Sequence, residues 1–232
     1  MIEAAFREIK NGLGANRVSV SNSCASELKR WYRLSSHVIE NGIDTKVFSE
    51  SDREDARDRL GIPQDGRAAL FVGRPEWRKR PDIAITAARE NGYTLYLAAG
   101  RPYEGMHWLG KLSPEQLSIA IAAVNVVLMP TQYEACSLAF LEALSVGTPV
   151  VTTDAGWVPD LLKAVPEYSA LVSPINDTGR FTTALREADR NDHGISKASR
   201  FVRNNNSLEA FGKAWSEYIH GVHRAKDGEP NG

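Results

Sequence analysis

Residues 125–153 read NVVLMPTQYEACSLAFLEALSVGTPVVTT. The run 125–130 is short, apolar and stopped by Pro130, as a buried strand would be. Residues 135–146 are apolar nearly all the way round and long enough for a helix. Residues 148–153 are again short and β-branched. A strand, a helix and a strand in that order form one βαβ crossover, which makes the two strands parallel neighbours. Two carboxylates interrupt this reading. Glu142 lies in the middle of the apolar helix, and Glu134 lies at its mouth.

The same alternation extends in both directions. Upstream, strand 68–73 leads to helix 80–92, strand 93–100, a short run 107–110, and helix 113–123 with Ser113 as cap and Pro114 at the first helical position. Downstream, helix 157–165 precedes a strand at 168–173, and helices fill 176–224. Before residue 68, residues 17–23 alternate like a strand and 24–34 follow as an amphipathic helix. Short 37–39 then leads to the turn 41-NGID-44, and 51–61 is a charged helix closed by Gly61. The expected fold is α/β: a Rossmann-like parallel sheet with helices on both faces. No fixed-period repeat is visible. Trp31, Trp108 and Trp157 are expected mostly in the core.

Composition agrees with a globular chain. Of 232 residues, 42% are hydrophobic and 25% charged, with a net charge of −1. No global positive field would attract nucleic acid. Two cysteines, Cys24 and Cys136, make no CxxC pair, which disfavours a disulfide scaffold or a zinc site. The N-terminus is charged and has no apolar leader segment, and the longest apolar run, 119–129, is too short to span a bilayer. These features point to the cytoplasm, with a peripheral membrane location left open.

In such sheets ligands bind outside the carboxyl ends of the strands, where helix N-termini offer unpaired amides. The turn 73-GRPEWRKRPD-82 places Gly73, Arg74, Arg78, Lys79 and Arg80 at a helix start. Cations there oppose the helix dipole, so a bound diphosphate explains them, although a solvated basic loop is the plainer alternative. In the turn 131-TQYE-134, the amides of Cys136, Ser137 and Leu138 are expected in the first helical turn, ready for phosphate. Glu134 would accept from sugar hydroxyls or serve only as a cap. Glu142 needs donors if buried, from ribose hydroxyls or a structural Arg. Gly156 in 153-TDAGW-157 marks a close backbone approach or an ordinary loop. Cys136 at a helix start has the position of an activated thiol, but a small packed residue is the better reading. The five histidines have no metal-ligand spacing, and GxSxG, Walker A and GxGxxG patterns are absent.

Together these turns resemble the donor-binding C-terminal domain of retaining glycosyltransferases with the GT-B fold, the glycogen-synthase-like and mannosyltransferase-like group (family GT4, glycosyl transferases group 1). Residues 41-NGID-44 with Phe48 resemble that family's "NGVD…F", and 72-VGRPEWRKRPD-82 its "VGRL…KG.D". Residues 109–134 resemble "G.l…el…y..advvv.PS.yE". Residues 134-EACSLAFLEALSVGTPVV-151 resemble "E.fGl..lEAmA.G.PVv", with both glutamates of E-x7-E. The resemblance covers about residues 14 to 222.

The resemblance implies that Arg74 and Lys79 neutralise the donor diphosphate and stabilise the leaving nucleotide. It implies that Gly73 and the backbone of Cys136, Ser137 and Leu138 hold phosphate or sugar oxygens, that Glu134 contacts the donor sugar, and that Glu142 contacts the ribose. Arg74, Lys79 and Glu134 are thereby the candidate catalytic residues. The donor would be a UDP- or GDP-sugar, transferred with retention and without a metal or other cofactor. Cys136-Ser137 stands where Phe-Gly is common, so Ser137 would narrow the pocket and affect sugar choice. Residues 1–40 are expected to be a remnant of the N-terminal acceptor domain, 41–205 the donor domain, 206–224 a return helix and 225–232 a disordered tail. The glycine-rich loop and histidine of the acceptor side have no counterpart. The acceptor is therefore unassigned, and a partner chain supplying that domain is one explanation. A non-catalytic nucleotide-sugar-binding module, or an epimerase or hydrolase on the same fold, are the alternatives.

Overall fold

The structure, a computed structural model, describes residues 16–188 and 190–226. The chain begins with β1 (Val18–Ser19), α1 (Asn22–Tyr32), β2 (His37–Val38) and α2 (Arg53–Leu60). Then come β3 (Ala68–Val72), α3 (Pro81–Glu90), β4 (Thr94–Ala98), β5 (His107–Gly110), α4 (Pro114–Ala123), β6 (Val126–Met129) and α5 (Leu138–Val146). β7 (Val150–Thr153), α6 (Val158–Ala164), β8 (Val172–Ser173), α7 (Thr178–Glu187), α8 (Asp192–Asn205) and α9 (Leu208–Lys226) complete it.

Six parallel strands pair in the order β5-β4-β3-β6-β7-β8. From β3 the chain winds outward through β4 to β5. It then returns to the middle at β6 and winds the other way. Right-handed crossovers in opposite directions put helices on opposite faces. α3 and α7 pack together on one side, while α4 packs with α2 and with α5, which meets α8, on the other. Every residue of β6 and β7 is buried, which is why both read as continuous apolar runs rather than as alternating ones. Between β3 and β6 the winding direction reverses, and their carboxyl ends form the switch-point crevice where such sheets take ligands.

Asn125, which breaks the apolar run before β6, is part of the core's polar wiring. Its Oδ1 accepts from the Ala68 amide at 2.9 Å and from Nη2 of Arg57 at 2.8 Å. The Arg57 guanidinium is 4% exposed and also donates to the carbonyls of Ala123, Pro63 and Gln64. A buried charge is tolerated here because its donors are taken up.

Several boundaries differ from the sequence reading. The strand expected over 17–23 shrinks to Val18–Ser19, because Ser21 caps α1 by accepting from the Cys24 amide at 3.1 Å. The strand expected over 168–173 is mostly a 3₁₀ segment, Pro166–Leu171, and only Val172–Ser173 pairs. α9 runs to Lys226, two residues into the expected tail, and 227–232 lie outside the described residues, as do 1–15. Trp157 is buried as expected, but Trp31 and Trp108 are 69% and 48% exposed. Trp108 sits on the edge strand β5, and α1 buries none of its residues. Among the described residues no helix is long and apolar enough to cross a membrane.

Candidate functional site

The basic turn leaves β3 at Gly73, whose φ of 94° suits glycine. The Lys79 ammonium lies over it, 3.5 Å from where a side-chain Cβ would stand. A 3₁₀ turn over Trp77–Lys79 then brings the chain to Arg80, in the left-handed region at φ 47°, and Pro81 starts α3. Arg80 pairs with Asp82 at 2.7 Å, which holds the carboxyl of Asp82 below its ordinary value, and Nη1 of Arg80 donates to Asn176 at 3.2 Å.

The turn after β6 is sewn to this one. The Gln132 amide donates to the Arg78 carbonyl at 2.7 Å, and the Thr131 hydroxyl donates to the same oxygen at 3.1 Å. The Thr153 hydroxyl, at the end of β7, donates to the Thr131 carbonyl. Three strand ends are thereby joined into one rim.

Glu134 stands at the junction. Its Oε2 lies 3.6 Å from Lys79 Nζ and 3.5 Å from Arg78 Nη1. Arg78 Nε in turn lies 3.3 Å from Glu76, whose other oxygen meets Arg74 at 3.1 Å. The result is a chain of alternating charge with more cations than carboxylates, half open to solvent. The structure brings Lys79 and Glu134 together directly, and links Arg74 to them only through Glu76 and Arg78. Arg78 is the residue that the sequence reading passed over as a partner for Glu134. Its place in the same basic run was the available signal.

Behind Glu134 the packing is tight. Gly156 has φ 61°, and a Cβ there would lie 2.4 Å from the Glu134 carbonyl oxygen and 2.6 Å from that of Ala135. The close approach anticipated at Gly156 is therefore real, and its neighbour is the turn after β6.

The helix begins later than expected. α5 starts at Leu138, with Ser137 at the cap position and no side-chain hydrogen bond into the first turn. The uncapped amides are thus those from Ser137 onward, and Cys136 lies before the helix. The Cys136 carbonyl is occupied by Asn41 Nδ2 at 2.9 Å. Its thiol is 6% exposed, and burial pushes its pKa up to about 12, the opposite of an activated nucleophile. Leu138 is 49% exposed at the mouth of the site.

Glu142 lies one turn further along the face that carries Leu138. It is half-buried, no described residue hydrogen-bonds to it, and burial pushes its pKa up to about 7. The structural Arg that could have explained it is absent among the described residues. Tyr133, 58% exposed, faces α1, where the charge of Glu27 is the main cause holding its phenol above the usual value. The described residues contain no group of three or more His, Cys, Asp or Glu side chains arranged to hold a metal.

The chain is similar to known proteins in sequence and in fold. The family model for glycosyl transferases group 1 matches residues 52–208. A D-inositol 3-phosphate glycosyltransferase of Mycolicibacterium smegmatis is 29% identical over 183 residues, covering 70% of this chain and 42% of its own length. The chain thus spans less than half of that relative. Among solved structures, sucrose-phosphate synthase from Thermosynechococcus elongatus superposes with a TM-score of 0.79 at 22% identity, over 90% of this chain and 58% of that one. HepE of Anabaena, solved in complex with UDP-glucose, superposes with a TM-score of 0.72 at 17% identity, over 88% of this chain and 63% of its own. Both likenesses establish the GT-B glycosyltransferase fold.

Proposed function

The chain belongs to the glycosyl transferases group 1 family, and on that premise we propose that it is the donor-binding half of a retaining glycosyltransferase of the GT4 type. A UDP- or GDP-sugar lies in the crevice between the turns 73–80 and 131–138. The observation that carries this reading is the meeting of Lys79, Arg78 and Glu134 in front of the uncapped start of α5.

Each group has a part. Lys79 and Arg74 neutralise the diphosphate, and the amides from Ser137 onward donate to it at the positive end of α5. Negative charge develops on the diphosphate as the bond from the sugar anomeric carbon to phosphate oxygen breaks, and these fixed donors stabilise it. An acceptor hydroxyl attacks from the same face and passes its proton to the departing diphosphate oxygen, so the configuration is retained. Glu134, steered by Arg78 and Lys79, orients the sugar hydroxyls. Glu142 accepts from the ribose, whose hydroxyls provide the donors that the protein does not. Because side chains and backbone dipoles supply the positive charge, the transfer needs no metal. The domain division is proposed as 1–40 acceptor-side remnant, 41–205 donor domain and 206–224 return helix. The acceptor is held by residues outside the donor half, in a partner chain or a further domain, and the protein works in the cytoplasm.

Calorimetric titration with UDP-glucose, GDP-mannose, UDP and GDP tests the reading. Saturable binding of one nucleotide series, unchanged by EDTA, is expected. A folded chain that binds none of them refutes it.

A further inference from the structure

The crossing from β2 to the donor domain carries a device that neither the fold nor the family assignment explains. Residues Asn41–Asp44 pass beneath the junction of α8 and α9. Gly42 is pressed so closely there that a Cβ would lie 2.5 Å from Cβ of Phe211. Ile43 is bonded on both sides of the junction, its amide to the Asn206 carbonyl at 2.8 Å and its carbonyl to the Leu208 amide at 2.9 Å. Asn206, 1% exposed, donates from Nδ2 to Glu40 at 3.1 Å and to the Asn41 carbonyl at 3.2 Å. The backbone of Asn41 is therefore fixed from below. Its side chain points the other way, and Nδ2 donates to the Cys136 carbonyl across 95 positions of sequence.

That carbonyl belongs to the residue just before the uncapped amides of Ser137 and Leu138. Peptide planes are rigid, so holding the carbonyl at 136 sets the direction of the N–H at 137 on the same plane. We infer that Asn41 is a positioning residue: it anchors the Cys136 peptide so that the amides opening α5 point at the outer phosphate of the donor. It touches no ligand itself. This rests on the donor reading above, and it adds that the Asn-Gly pair has two separable tasks. Gly42 admits α9, and Asn41 reaches the donor turn.

The consequence is selective. Amides aimed at the outer phosphate matter for a nucleoside diphosphate and little for the monophosphate. Asn41→Ala and the volume-preserving Asn41→Leu are compared with wild type for binding of UDP and of UMP, by calorimetry or by amide-shift titration of the labelled chain. Melting temperatures are recorded alongside. The expected result is a roughly tenfold loss for UDP in both variants, the worth of one hydrogen bond to a charged group, with UMP changed less than twofold. Unchanged UDP affinity in a folded variant overturns the inference. Equal losses for UDP and UMP also overturn it, since they indicate general loosening of the site. A wild-type chain that binds neither ligand brings down the donor reading itself and this inference with it, which the wild-type titration alone reveals.

Discussion

At Glu142 a single carboxylate carries a cost to stability and, on the proposed reading, a contact to the ribose. Burial raises its pKa from 4.5 to about 7, with no described partner to offset it. Below about pH 4.5 the group is protonated in the folded and unfolded chains alike and makes no difference to stability. As pH rises towards 7 the unfolded chain releases the proton first, so stability falls, and above 7 the full penalty remains. Glu142→Gln is therefore expected to melt above wild type at pH 8 and together with it near pH 4.5, as scanning calorimetry at the two pH values would show. Binding has the opposite sense. On the proposed ribose contact the ionised carboxylate is the stronger acceptor, so wild-type affinity for UDP-glucose, whose diphosphate does not titrate in this range, is expected to weaken as pH drops below 7. In Glu142→Gln the affinity is about tenfold lower at pH 8 and flat with pH. A second substitution tests the cations. Lys79→Ala is expected to weaken UDP binding by about 1–3 kcal/mol, as for a lost charged hydrogen bond, and unchanged affinity would make the basic turn a solvated loop. The neighbourhood of Lys79 and Glu134 was legible in the sequence because both stand in turns at strand ends, and Glu142 stood out as a carboxylate in an apolar helix. Arg78 was less so, because nothing in GRPEWRKR distinguishes a side chain that pairs with Glu134 from one that pairs with Asp82, as Arg80 does.

The donor turn is an element built by its neighbours as much as by its own residues. Its helix begins at Leu138 rather than 135 because Glu134 and Ala135 are held against Gly156 and Cys136 is tied to Asn41. These are contacts over long sequence separation, which no local propensity encodes. β1, by contrast, is cut short by a local contact: Ser21 caps α1 through the Cys24 amide and takes residues that alternate like a strand. Gly156→Ala puts the dependence to the test. The substitution strains a positive φ and drives a methyl group into two carbonyls, at a cost of about 2 kcal/mol or more. Its effect is expected to reach the site, with UDP affinity lost together with melting temperature. Gly147→Ala supplies the contrast. It strains a φ of 89° at the far end of α5, but its Cβ meets nothing closer than 3.6 Å. A loss of about 1 kcal/mol in stability, with UDP affinity intact, is expected there. Equal effects of the two on binding would mean that the Gly156 contact is not specific to the donor turn.

On the scale of the whole molecule a parallel sheet with helices on both faces was readable, because each βαβ unit announces itself by period and length, whereas the order β5-β4-β3-β6-β7-β8 depends on which way each crossover turns and was not. The relation of the first elements to the rest was not readable. β1 and β2 form a separate two-stranded parallel sheet, and α1 buries no residue while exposing Trp31 and Tyr32. Sequence showed an amphipathic helix there but could not show that its apolar side is left partly exposed among the described residues. Among the described residues this unit is tied to the rest by the Asn22 amide on Asp160 at 2.9 Å, the stack of His37 on Tyr218 at 5.0 Å, the packing of Val20 against the core and the contact of α1 with α6. Local opening free energy follows the apolar area an element buries, so α1 is expected to open without the six-stranded sheet. Hydrogen exchange followed by mass spectrometry should show amides 25–32 exchanging orders of magnitude faster than those of β6 and β7, in the same protein and buffer. A second domain or chain that covers α1 in the working enzyme would slow that exchange and leave the central strands unchanged. Protection of α1 equal to that of β6 in the isolated chain would instead make the two sheets one cooperative unit, with no half left to be covered.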